Sequence, residues 1–159
     1  MKNEIKKTNA ARLLDQQKVK YELVPYEVDE EDLSAQHVAA SLDEPIDQVF
    51  KTIVLKGDKT GYFVCVIPGA AEIDLKLAAK VSGNKSCALL PLKELLPLTG
   101  YIRGGCSPIG MKKHFPTFFH ESCLSFTCIY VSAGLRGLQF KIAPQDLLKA
   151  ASATTAVLF

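Results

Sequence analysis

Apolar and polar positions along the chain change period several times, and each change marks an element. Ala10, Leu13 and Leu14 recur at i, i+3 and i+4 behind Thr8, a good N-cap, and predict a first helix that ends at residues 18–20. Residues 21–26 read as a strand, in which Pro25 argues for a sheet edge or a strand end. After the acidic run Glu27, Asp29, Glu30, Glu31 and Asp32, Ser34 caps a second helix with Val38, Ala39 and Leu42 on its apolar face. Ile53, Val54 and Leu55 form a buried strand that turns at Gly57 and Asp58 and pairs with the apolar run 62–67 as a hairpin.

The second half is more broken. Asp74 caps a helix that Gly83 stops, residues 87–90 form a short strand, and Pro91 opens a brief helix through Leu96. Strands are predicted at residues 117–119, 126–131 and 138–142. In the last of these Leu138, Phe140 and Ile142 alternate with Gln139 and Lys141, so one face is buried and the other wet. Pro144 opens a final helix through Ala151. The tail from Ser152 carries little signal. Strands and helices mix without strict βαβ alternation, which predicts one α+β domain over residues 1–159.

Composition changes this picture little. At 159 residues, 48% hydrophobic and 23% charged, the chain suits a single folded unit, and no apolar run is long enough to span a bilayer. The charged start, Met1 to Lys7, is followed by no apolar segment, so no secretory signal is expected. A net charge of +2 is too slight for general nucleic-acid binding, although a few lysines can grip a short single-stranded end. The five cysteines are odd in number and form no Cys-x-x-Cys pair, which fits reduced thiols and a cytoplasmic setting. His114, His120 and Cys123 lack the paired spacing of a zinc site, and there is no nucleotide-binding fingerprint. Neither metal nor organic cofactor is expected.

Two stretches carry candidate chemistry. Lys51 and Thr52 sit at the mouth of the first hairpin strand, behind Phe50, where a lysine either snorkels to water or meets an anion. In the second stretch, Gly104, Gly105 and Gly110 bracket Pro108, flanked by Arg103, Lys112 and Lys113. That loop is either a tight connection or a backbone cradle for a carbonyl, hydroxyl or phosphate oxygen. Cys106 lies within it, but no histidine is near in sequence to serve as its base, so a packed small residue is the better reading.

Together, Phe50-Lys51-Thr52, the 104–110 loop, the 129–138 segment and the 142–147 segment resemble the YbaK/EbsC family. These are bacterial Cys-tRNA(Pro) deacylases related to the editing domain of prolyl-tRNA synthetases. The resemblance implies a mixed, partly closed, barrel-like sheet flanked by helices. It implies as substrate the 3′ acceptor end of an aminoacyl-tRNA, with prolyl-tRNA synthetase a further partner and neither membrane nor DNA involved.

The implied reaction removes cysteine through attack of its own thiol on its ester carbonyl, forming a thiolactone with help from the ribose hydroxyls. No Ser-His-Asp arrangement is evident in the chain, and a substrate that carries its own nucleophile needs none. Carried onto this sequence, Lys51 becomes the anchor, and Gly104, Gly105 and Ser107, with Pro108, form the carbonyl cradle. Tyr26, Thr52 and Ser132 take pocket positions, and Arg136 supports the loop or meets phosphate. Ala133 stands where the family usually has glycine, and its methyl is expected to narrow the pocket or restrict the turn. A same-fold deacylase acting on another amino acid such as alanine, and a non-catalytic tRNA- or synthetase-binding module, are the alternatives.

Overall fold

The computed structural model describes residues 6–159, so most of the charged segment from Met1 to Lys7 lies outside the described residues. Local chemistry sets the helices. Thr8 accepts a hydrogen bond from the Ala11 amide at the start of α1 (Asn9–Gln16), and Ser34 accepts one from His37 at the start of α2 (Ala35–Leu42). Asp74 caps α3 (Leu75–Ser82) through the Lys76 and Leu77 amides, and Gly83 ends it at φ 82°. The helix predicted to stop at Leu96 runs on as α4 (Leu92–Thr99), straight through Pro97. The Thr99 hydroxyl donates to the Leu95 carbonyl at 2.7 Å, which helps hold the turn that the proline weakens. Pro144 opens α5 (Pro144–Ala150) as expected.

Eight strands follow in chain order: β1 (Glu22–Pro25), β2 (Phe50–Gly57), β3 (Gly61–Pro68), β4 (Cys87–Leu89), β5 (Thr117–His120), β6 (Ile129–Leu135), β7 (Leu138–Ile142) and β8 (Thr154–Ala156). Five of them form a mixed sheet in the order β4-β2-β3-β5-β8, and three an antiparallel sheet in the order β1-β7-β6. The predicted hairpin is the β2–β3 pair, and Pro25 lies on the edge strand β1, where its missing N–H costs no ladder bond. A single parallel bridge between Val49 and Tyr130 joins the two sheets. The result is a mixed α+β domain whose sheet curls without closing, with helices on its flanks.

Three further local expectations change. The strand predicted from residue 126 starts only at Ile129, because Glu121–Ser125 is a 3-10 turn and the Phe126 amide is tied to the Cys123 carbonyl. Strand β6 continues to Leu135 through a bulge between Ser132 and Leu135, so Ser132 stands in the strand rather than in the turn. The tail supplies β8, parallel to β5, and buries Leu158 completely.

The main core gathers Leu14, Phe50, Val54, Val66, Phe119, Phe140 and Leu147 between the sheets, α1 and α5. A second core, with Leu55, Phe63, Cys65, Ile67 and Ala78, lies beneath α3. Strands β2 and β3 are therefore covered on both faces, which is why they read as continuous apolar runs. The start of β2 lies where the two sheets part.

Candidate functional site

The parting sheets leave a cleft of about 420 Å³. Its floor and one wall come from Phe50, Lys51 and Thr52 of β2, Ser132 of β6 and Gln139 of β7. Opposite stand the loop residues Arg103, Gly104 and Cys106, the turn from Gly69 to Glu72, and Ser34, Ala35 and Gln36 at the start of α2. A larger hollow of about 810 Å³, lined by Lys7, Asp15, Tyr21 and Lys141 among others, is an open trough far broader than deep. The smaller cleft is where Lys51, Thr52, Gly104 and Ser132, four of the residues expected from the sequence, come together.

Lys51 is half-buried beside Ile67 in the β2–β3 ladder, within reach of the Glu72 field but in no ion pair among the described residues. Burial pushes its ammonium below the ordinary lysine range, and the Glu72 carboxylate partly offsets this. An ammonium so placed gains by meeting an anion. Arg103 and the N-terminal turn of α2, whose free amides carry partial positive charge, act in the same sense.

Two further side-chain atoms have no hydrogen-bond partner among the described residues. The Thr52 hydroxyl and the Gln139 side-chain oxygen are buried without a hydrogen bond, and both residues line the cleft. Leaving such an atom unpaired costs on the order of 1–3 kcal/mol. Ser132, by contrast, is committed: its hydroxyl accepts from the Gly134 amide at 3.1 Å.

The glycine loop is built around Tyr101. Its hydroxyl donates to the Ile109 carbonyl; an added Cβ at Gly134 would come within 2.9 Å of its ring, and one at Gly110 within 2.8 Å of its hydroxyl. Gly104 takes φ 85°, which a side chain rarely tolerates. The Gly105 amide is spent on the Ile102 carbonyl at 2.9 Å. Arg103, Gly104 and Cys106 are the cleft-lining loop residues, and none of their amides donates to an acceptor among the described residues. Arg136 locks the loop in place: its Nε donates to the Arg103 carbonyl at 2.8 Å, and Nη1 pairs with Glu30 at 3.1 Å.

The structure therefore brings Lys51, Thr52, Gly104 and Ser132 to one cleft and places Arg136 behind its loop. It does not bring the other expected residues there. Ser107 is wholly buried, with its hydroxyl accepting from the Ile109 amide, and Pro108 lines a separate hollow with Leu13 and Phe115. Tyr26 packs beside Val38, Val49 and Tyr130 under α2. Gly105 is buried in its turn. The Ala133 methyl points into the main core, because strand alternation turns it away from Ser132, so it narrows no pocket.

Gln139, Glu72 and the first turn of α2 were absent from the sequence reading. Only Gln139 had a signal there, as a polar position on the wet face of an alternating strand. Burial raises the Cys106 thiol to about 12, and no histidine lines the cleft, so this thiol stays protonated. Among the described residues no three His, Cys, Asp or Glu side chains converge, and no helix is long and apolar enough to cross a membrane.

This two-sheet α+β domain matches a known family, the aminoacyl-tRNA editing domain. The pattern of that family matches residues 29–150, and the chain belongs to it. Among individual proteins, the chain is 52% identical over 142 residues to the candidate Cys-tRNA(Pro)/Cys-tRNA(Cys) deacylase EbsC of Enterococcus faecalis, covering 89% of this chain and 87% of that one. A proline–tRNA ligase of Fervidobacterium nodosum is 30% identical over 79 residues, which are 50% of this chain and 14% of the ligase. The crystal structure of a hypothetical protein superposes with a TM-score of 0.84 at 21% identity, over 92% of this chain and 96% of that one. That of a candidate trans-editing enzyme for prolyl-tRNA synthetase superposes at 0.79 and 23%, over 95% and 97%. At these identities the two superpositions establish the fold.

Proposed function

We propose that this protein is a trans-editing deacylase that removes cysteine from mischarged Cys-tRNA(Pro), and also from Cys-tRNA(Cys), in the cytoplasm. One observation carries the reading. The cleft offers a half-buried lysine, unpaired polar side chains and free loop amides, yet no activated nucleophile. A site that positions without attacking suits a substrate that attacks itself.

The cysteine thiolate adds to its own ester carbonyl, and the amides of Gly104 and Cys106 steady the oxygen as charge gathers on it. The carbonyl–oxygen bond to the ribose then breaks, the ribose oxygen takes a proton, and cysteine leaves as a four-membered thiolactone that water opens. Lys51 holds a phosphate or the developing negative charge, with Arg103 beside it. Ordering the ester, thiol and carbonyl in one geometry is worth much of the barrier, because effective molarities of well-oriented neighbours are very large. No divalent ion or organic group enters any of these steps. The identity to EbsC supports the choice of amino acid, and the partial match to a proline–tRNA ligase supports tRNA(Pro) as the carrier and prolyl-tRNA synthetase as a partner.

A panel of Cys-, Ser- and Ala-charged tRNA(Pro) tests this reading. Fast loss of cysteine with near-silent serine and alanine is expected, since a hydroxyl is scarcely ionised at neutral pH and alanine has no nucleophile. Equal rates on serine and cysteine would put a bound water in place of the thiol. Preference for alanine would make the protein a water-using deacylase.

A further inference from the structure

The turn from Gly69 to Glu72 has a second side. Behind Ala70 and Ala71, which line the cleft, lies another cavity of about 460 Å³ that the same two residues also line. Its remaining walls are mainly apolar, with Pro68, Phe126 and Phe159, and its rim carries Asp47, Ser122 and Ser125. None of these residues has a part in the reaction described above.

The aromatic geometry there is that of an unfinished stack. The rings of His120 and Phe159 lie with centroids 4.0 Å apart and planes 20° from parallel. His120 covers one face of Phe159 and does not line the cavity, whereas Phe159 does and is 46% exposed. The ring is held in place from behind: Leu158 is fully buried, and its carbonyl accepts from the Asp74 amide at 2.8 Å. A ring fixed in this way with a free face is a platform for another flat ring. The rim acceptors, one carboxylate and two hydroxyls, suit a ring that bears an exocyclic amino group.

We propose that this cavity is a nucleobase subsite, which takes the adenine of the terminal nucleotide, stacked on Phe159, while its ribose ester lies across the Ala70–Ala71 wall in the cleft. The inference rests on the deacylase reading and deepens it. The chain then recognises its substrate partly through a base common to every tRNA end, which leaves the choice of tRNA to other contacts.

The test uses cysteine-charged acceptor minihelices that end either in adenosine or in an abasic ribose with the same vicinal hydroxyls. The wild-type protein is expected to favour the adenosine end by about five- to 150-fold in kcat/KM. Phe159→Ala should erase that preference and leave the rate on the abasic end unchanged. Phe126→Leu, which removes a ring from the cavity wall but keeps an apolar side chain against the core, should reduce the preference and serves if the first variant does not fold. A second readout needs no chemistry: an uncharged minihelix ending in 2-aminopurine should lose fluorescence on binding wild type and keep it with Phe159→Ala. Equal turnover of both ends by wild type, or a preference that survives both substitutions, would overturn the subsite. Cysteine retained on both minihelices with quenching intact would overturn the deacylase reading and keep the subsite.

Discussion

The two ends of β2 solve opposite problems with the same kinds of groups. At the Gly57 end, Asn84 is buried and all its bonding capacity is in use. Its side-chain oxygen accepts from the Lys59 and Thr60 amides at 2.9 Å each, and its amide nitrogen donates to the Thr60 and Ser82 hydroxyls at 2.8 Å each. Gly57 makes room for it, since an added Cβ would come within 2.2 Å of the Asn84 side chain. At the Lys51 end the Thr52 hydroxyl and the Gln139 oxygen are also buried and have no hydrogen-bond partner among the described residues. A fold that closes its polar groups so fully at one end of a strand does not leave them open at the other through lack of means. The satisfied end holds the hairpin, and the unsatisfied end is the one the proposed function assigns to a ligand.

That contrast predicts separable losses. Lys51→Ala should reduce deacylation of Cys-tRNA(Pro) by roughly ten- to 150-fold, the worth of one charge-assisted contact of about 1.5–3 kcal/mol. Its melting temperature should hold or rise. Burial depresses the Lys51 pKa in the folded state, so the charged side chain opposes folding at neutral pH, and this opposition fades as pH rises through the depressed value. Near-wild-type turnover in the folded variant would remove Lys51 from the site.

Asn84→Ala should do the reverse. Stranding the Lys59 and Thr60 amides is expected to cost about 1–3 kcal/mol in denaturant unfolding, with turnover per folded molecule unchanged. A loss of turnover larger than the loss of folded protein would mean that the hairpin end communicates with the cleft. The smallest effect is expected at Cys106. Replacing it by alanine should leave turnover within about twofold, because burial raises its thiol pKa to about 12 and the proposed reaction uses no protein thiol. A collapse of activity in a well-folded Cys106→Ala protein would restore it as a nucleophile.

How much of this was legible in the sequence depended on whether the cause was local. The hairpin, the caps at Thr8, Ser34 and Asp74, and the placing of Lys51 and Thr52 at the head of a buried strand all follow from neighbours in the chain. The glycine loop was visible as a loop. Which of its groups stay free was not, since that depends on Tyr101 reaching Ile109 and on Ser107 turning inward to cap its own turn. Gln139 was placed on the wet face of β7, and alternation alone gives no sign that this face is the floor of a cleft. Strand β8 is three residues long and exists only because β5 offers it an edge.

The central claim is that the unpartnered groups at the head of β2 are held open for substrate, and Thr52→Val tests it most directly. The substitution exchanges the orphaned hydroxyl for a methyl of nearly the same size. The account predicts a more stable protein, by about 1 kcal/mol, that deacylates Cys-tRNA(Pro) roughly two- to tenfold more slowly. A less stable protein with undiminished turnover would contradict it, and would make the Thr52 hydroxyl an ordinary part of the fold.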